Sequence, residues 1–479
     1  MLFNSLEFLL LFMPLCVCSF YFCARFSQKA ALINLIVFSL IFYSVWNPYY
    51  LVLLISSICL NYALGGALQK NKSRILLGIA ISVNLLSIAY FKYLDFLIGT
   101  SNALLDTEMT LQNVVLPLGI SFFTFQQISY VIECYRGEIK TRDFKSYMLF
   151  VSFFPQLIAG PIVRFQEVSH QFIDERFAKL DWKKILPGLI IFSIGLSKKV
   201  FLADDIAAQA SPIFAKADAG GTLTFLEAWF GSIAYSFQIY FDFSAYSDMA
   251  IGLGLMLGIV LPVNFLSPYK AANIIDFWRT WHITLSRFLR DYLYFPLGGN
   301  RHGKIRRYIN LMIVMLLGGL WHGASWNFVI WGGLHGGYLI INHAVRRLLA
   351  NRAKPFVINK PFSIAITFIV VTFAWVFFRA DTFEGALHMA SVMTTLPDWE
   401  QFSSNMILLP KLGYFLFPCA VAVWMMPNSI QMLRTIQTRI EKPEQYSLMV
   451  PTILAAIGFA MCTYFIFAGV YSEFIYFQF

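Results

Sequence analysis

The stretch Leu311–His343, LMIVMLLGGLWHGASWNFVIWGGLHGGYLIINH, contains no Lys, Arg, Asp or Glu, and its reading decides the fold. A soluble domain averages about 25% charged residues, so a run of this length without one belongs in lipid. A bilayer span needs roughly 20 apolar residues, and the stretch divides into candidate spans near 308–322 and 324–345. Inside it stands Leu320-Trp321-His322-Gly323. A titratable imidazole at that depth is costly and marks a functional site by default. Its ordinary pKa near neutrality suits it to accept and return a proton.

The rest of the chain has the same character. Of 479 residues, 58% are hydrophobic and 13% charged, too few charges to cover a soluble surface. The reading is an all-α, polytopic integral membrane protein with about 11–13 transmembrane helices plus re-entrant or interfacial pieces. The first apolar segment has no preceding basic residue and no small-residue cleavage site, so it reads as an anchor. Arg25 and Lys29 follow the first span, and Lys70, Lys72 and Arg74 the third, whereas the loop Thr100–Asn113 is acidic. That alternation puts the N-terminus outside and the basic loops in the cytoplasm, with the larger clusters, including Arg346–Lys360, there or at that interface. The net charge of +10 is then explained by orientation and by anionic lipid, and nucleic-acid binding is not needed. Seven cysteines, odd in number and mostly in apolar runs, argue against a disulfide framework.

The chain reads as one polytopic domain with three textures. Residues 1–113 are plain scaffold helices. Residues 114–345 hold most of the Pro, Gly, buried acids and His. Residues 346–479 return to simple spans, interrupted at Asp381–Glu384 and Asp398–Asn405. Irregular, polar segments at membrane depth belong where they face protein or a cavity, so chemistry is expected in the middle zone.

Four constellations carry it. If 318–322 is helical, Gly318 and Gly319 share the face of His322 and clear space where its ring leans, with Trp326 as a wall. The alternative is that the glycines permit close helix packing. His322, His335 and His343 share the stretch, but on a straight helix His322 and His335 sit about 20 Å apart on nearly opposite faces. No metal site is expected from them. Asp276–Asp291 interleaves Trp278, Trp281 and His282 with Arg279, Arg287 and Arg290, pairing Asp276 with Arg279 and Arg287 with Asp291 at helical spacing. It reads either as an interfacial helix or as a funnel whose arginines meet a phosphorylated cofactor. Asp242 and Asp248 need partners, and ion pairs to this Arg-rich segment are the expected ones. Pro117–Gln127 and Phe154–Pro161 suggest kinked helices lining a cavity.

Pro117-Leu118-Gly119-Ile120-Ser121-Phe122, Ala159-Gly160-Pro161, Phe241-Asp242-Phe243-Ser244, Phe277-Trp278-Arg279-Thr280-Trp281-His282, Pro296-Leu297-Gly298-Gly299-Asn300 and Leu320-Trp321-His322-Gly323-Ala324-Ser325-Trp326, in this order, resemble the membrane-bound O-acyltransferase family. The resemblance is closest to its bacterial branch that acetylates exopolysaccharide such as alginate. It implies a ring of tilted helices around a tunnel joining the two membrane faces. It places the family's essential His at His322 and its second characteristic His at His282. It implies acetyl-CoA as the acyl donor, no permanently bound cofactor, and transfer to a polysaccharide through periplasmic acetyltransferases. It also implies a bacterial inner membrane. Trp321, Trp326, Gly318 and Gly319 would shape the tunnel, and Arg279, Arg287 or Arg290 would hold cofactor phosphates. The rival expectation is a multi-pass transporter of a polysaccharide or lipid precursor, against which stands the absence of an inverted repeat in the sequence.

Overall fold

The computed structural model describes the chain except for residues 175–176, 351–358, 400–402, 404–405, 407–408, 445–446, 470–473 and 476–479. Part of the expected basic loop Arg346–Lys360 and part of the interruption Asp398–Asn405 therefore lie outside the described residues. The described residues are helical with no strand. They form two compact units that interleave along the sequence. One holds Met1–Ser197, Ala245–Val263 and Leu433–Gln478; the other holds Lys198–Ser244 and Asn264–Met432. This differs from the three sequential zones read from composition.

In the first unit the helix starts are written locally. Ser27 accepts from the Ala30 amide at 3.1 Å, Asn47 from the Tyr49 amide at 3.0 Å ahead of Pro48, and Ser73 from the Leu76 amide at 3.2 Å. The last two caps open α1 (Pro48–Lys70) and α2 (Arg74–Ile88), and both helices pack against α3 (Ile120–Arg136). The outer faces are apolar, with Tyr49, Ile75 and Leu86 exposed. The polar groups point inward instead. Asn84 Nδ2 donates to Asn61 Oδ1 at 2.7 Å and Asn61 Nδ2 returns the bond at 3.2 Å, and Gln127 Nε2 donates to Ser57 Oγ at 3.1 Å. Paired amides of this kind bind helices where lipid outside removes the hydrophobic drive.

The second unit contains the first part of α4 (Phe225–Met256), two short helices α5 (Ile274–Thr280) and α6 (Ile283–Leu289), and α7 (Gly303–His322), α8 (Trp326–Ala350) and α9 (Lys360–Arg379). Over Gly323-Ala324-Ser325 the chain reverses, and α7 and α8 pack along each other as a hairpin. Glycines make that approach possible. A Cβ on Gly319 would strike the Phe328 carbonyl oxygen and lie 3.2 Å from Gly332 Cα, and one on Gly332 would lie 3.1 Å from Leu316 Cα. The basic residues Lys304, Arg306 and Arg307 open α7, and Arg346 and Arg347 close α8, so one end of the hairpin is cationic and the other is not.

Among the described residues, six helices are long and apolar enough to cross a membrane, or seven if Gly413–Trp424 and Ser429–Glu441, bent by 51°, make one broken span. The expected 11–13 spans also take in shorter and more polar segments outside this group. Gln28–Ser44 is a shorter apolar helix, α7 begins on a basic turn, and the runs 224–240 and 245–263 merge into α4 around Asp242 and Asp248.

Candidate active site

His322 ends α7, where the chain leaves helical geometry at Gly323 (φ −161°) and turns back into α8. Its side chain is buried, 4% exposed. Its ring meets Trp321 at 4.9 Å, Phe378 at 5.0 Å, Trp331 at 5.2 Å and His282 at 6.4 Å between centroids. The hairpin explains the arrangement: Trp331 on α8 lies back alongside the end of α7, and Phe378 arrives from α9.

His282 is fully buried between α5 and α6 in a left-handed conformation (φ 42°), a costly backbone state for a residue with a Cβ. Asn264 holds it there. The Asn264 carbonyl accepts the Ile283 amide at 3.0 Å. Its Oδ1 takes His282 Nδ1 at 3.2 Å, the Thr284 amide at 3.2 Å and Thr284 Oγ1 at 3.0 Å. An amide oxygen can only accept, so Nδ1 carries the proton. Burial pushes the His282 imidazole down to about 3, so the ring is neutral. Phe243 packs on its other side at 4.8 Å.

The structure brings His322, His282 and Trp321 together, and it gives several other expected site residues surroundings that the sequence did not suggest. Gly319 serves the α7–α8 contact, and a Cβ on Gly318 would meet Leu289 Cδ1 at 3.2 Å, so close packing accounts for both glycines. Trp326 stands half exposed at 51%, and the rings on His322 come instead from Trp331 and Phe378. Arg279 is 71% exposed and paired with Asp276 at 3.1 Å. Arg290 pairs with its neighbour Asp291 at 2.7 Å where the chain winds into a π-turn over Arg290–Tyr294, a contact that helical spacing did not suggest. Arg287 is partly buried. A cation on Asp242 is Lys199, 2.7 Å from both Asp242 Oδ1 and Asp204 Oδ1, and it comes from the helix before α4 and not from the Arg-rich segment. Asp248 is buried in the other unit.

His322 and His335 are not on opposite faces of one rod. The hairpin puts both against Trp331, at 5.2 and 4.8 Å, with the indole in contact with each. No cluster of metal-ligating residues occurs among the described residues. Asn264, Trp331 and Phe378 are not singled out by the sequence. An Asn 18 residues before a His has no recognisable spacing, and Phe378 lies in a span that looks plain.

These features define a class: a multi-pass membrane protein in which two buried imidazoles face each other behind a wall of aromatic rings. The comparisons give the family. The membrane-bound O-acyltransferase family model matches residues 9–381, and the chain belongs to that family. It is 43% identical over 429 residues to the peptidoglycan O-acetyltransferase of Helicobacter pylori, covering 83% of this chain and 80% of that one. It is 42% identical over 416 residues to the "Probable alginate O-acetylase AlgI" of Pseudomonas putida, covering 85% and 82%. A teichoic acid D-alanyltransferase of Streptococcus thermophilus matches at 29% over 267 residues, 52% of this chain and 63% of that one. The protein is thus a membrane O-acyltransferase, which removes the ground for reading it as a transporter.

Proposed function

We propose that the protein moves an acetyl group from a cytoplasmic thioester, acetyl-CoA, across the bacterial inner membrane for O-acetylation of a cell-envelope polysaccharide, with periplasmic acetyltransferases as partners. The observation that carries this reading is the buried His322, held at the crest of the α7–α8 hairpin against His282, Trp331 and Phe378. Relatives named for alginate and for peptidoglycan stand at nearly equal identity, so the acceptor class is a hydroxyl of either polymer type, wider than alginate alone.

In this mechanism a neutral His322 takes the proton of an acceptor hydroxyl. The oxygen attacks the thioester carbonyl, the C–S bond breaks, and the imidazolium returns the proton to the leaving thiolate. The neutral His282, fixed through Asn264, positions the site and contributes no charge. Trp321, Trp331 and Phe378 exclude water around the ring. Arg279, Arg287 and Arg290 are the residues to receive the donor's phosphates. Arg279 and Arg290 lie exposed in their ion pairs with Asp276 and Asp291, where a phosphate can take the place of a carboxylate.

The test is labelled acetyl-CoA supplied to purified protein with a polysaccharide or a periplasmic acetyltransferase as acceptor. The His322→Ala variant should accumulate normally in the membrane and transfer no label. Full transfer by that variant would sink the assignment of the base.

A further inference from the structure

His335 is 0% exposed, and the mechanism above does not use it. Neither of its ring nitrogens has a hydrogen-bond partner among the described residues. The same holds for Trp278 Nε1 and Trp331 Nε1, both buried. The three rings touch pairwise: Trp331 to His335 at 4.8 Å, Trp278 to His335 at 5.2 Å, and Trp278 to Trp331 at 5.9 Å. Phe277, Tyr338 and Trp375 pack around the imidazole, at 6.0, 5.7 and 6.2 Å. Buried polar groups in native proteins are almost always satisfied, and four orphan nitrogens on three touching rings call for a specific explanation.

We infer that Trp278, Trp331 and His335 form a subsite for a secondary amide in the arm of the acyl donor, so that they select donors with an amide close to the thioester. The hydrogen-bond inventory fits this guest. Two indoles give two N–H donors, and a neutral imidazole gives one donor and one acceptor. A secondary amide has one N–H for the imidazole acceptor and a carbonyl whose two lone pairs take two of the three donors, the indole N–H groups, so that it satisfies three of the four nitrogens. A bare alkyl thioester has no N–H at all. A phosphate would bring charge into a box whose walls are all aromatic, with no cation among them. Position fits as well. Trp331 contacts His335 on one side and His322 on the other, so the subsite is one indole away from the base. Trp278, on the short helix α5 beside the exposed Arg279, is the partly exposed ring of the three and the one past which an arm would enter.

The inference rests on the thioester reading, and the experiment separates the two. First, equilibrium binding of pantetheine, which has amides but no acyl group, is measured on the purified full chain by tryptophan fluorescence, beside propanethiol. Wild type should bind pantetheine, and His335→Phe and Trp278→Phe should each bind it about tenfold more weakly, the ratio expected when a buried partner is lost. Second, kcat/KM is compared for acetyl-pantetheine and S-propyl thioacetate. Their ratio should fall in both variants through KM. Replacing Trp331 by its benzothienyl analogue removes the N–H while keeping the ring, and should also reduce the ratio, which controls for misfolding. Equal binding of pantetheine and propanethiol by wild type, or unchanged binding in both phenylalanine variants, overturns the subsite. Binding that depends on these residues without consumption of any thioester supports the subsite and overturns the function proposed above.

Discussion

Replacing Gly319 by Ala should damage this protein, although alanine favours a helix. A Cβ there would lie 3.1 Å from the Phe328 carbonyl carbon and 3.2 Å from Gly332 Cα, besides striking the Phe328 oxygen. Carbon contacts are comfortable at about 3.5–4.0 Å, and the obstructing atoms are backbone, which cannot rotate away. The two helices must therefore part by roughly half an ångström or more at that level. Overpacking of this kind costs about 1–3 kcal/mol, and the gain in helix propensity returns about 1 kcal/mol, leaving a net loss of up to about 2 kcal/mol. The functional loss should be larger, because Gly319 lies one turn before His322 and Gly332 directly follows Trp331. A shift approaching 1 Å at a reacting group costs about a hundredfold in rate. The control is Gly337→Ala on α8, where a Cβ meets nothing within 4 Å. It should leave activity intact and raise the thermal midpoint slightly. Both are read by thermal unfolding in detergent and by acetyl transfer. If Gly319→Ala behaves like Gly337→Ala, the argument from helix approach is wrong.

Lys199→Met removes a buried cation that lies 2.7 Å from both the Asp204 and Asp242 carboxylates, at a cost of about 3–5 kcal/mol, so little folded protein should reach the membrane. The triple variant Lys199→Met, Asp204→Asn, Asp242→Asn should recover much of the yield by size-exclusion chromatography. His282 gives a pH signature. Its folded pKa is depressed from 6.5 to about 3, so the unfolded chain binds a proton first and stability falls as pH drops from about 6.5 toward 3. Thermal midpoints of His282→Gln should show a shallower decline across that window, and parallel curves would contradict the reading. Asn264→Ala should lower activity by disordering His282 and Thr284 while leaving His322 in place, and rescue by Asn264→Asp would point to the acceptor oxygen as the essential group.

Much of the site is legible in the sequence because its signal is local. A histidine in a charge-free run is expensive wherever it lies, so His322 stands out from the order of residues alone. The glycines near it are visible too, but their purpose is not: whether a missing Cβ makes room for a guest or for a neighbouring backbone depends on the partner helix. The same limit misplaces His335. Residues 311–343 viewed as one rod put it far from His322, whereas the reversal at Gly323-Ala324-Ser325 sets both imidazoles on one indole. Helical spacing finds Asp276 with Arg279 because that pair is local, and misses Lys199 with Asp242 because 43 residues separate them. The spans beyond those six are less plain for a related reason. Hydropathy registers every apolar run, but the run that buries Asp242 and the helix that begins beside Lys304 carry charges that a plain span does not.

The charge pattern of the α7–α8 hairpin bears on how the protein is made. Its cations, Lys304, Arg306, Arg307, Arg346 and Arg347, gather at the open end, and the crest that bears His322 has none. Moving a basic residue through hydrocarbon is the costly event in inserting a helix, and basic loops stay on the side where the chain is synthesised. The pair can therefore enter the bilayer as a single folded object from that side. His322 would then be delivered to its depth without any fixed positive charge having crossed the membrane.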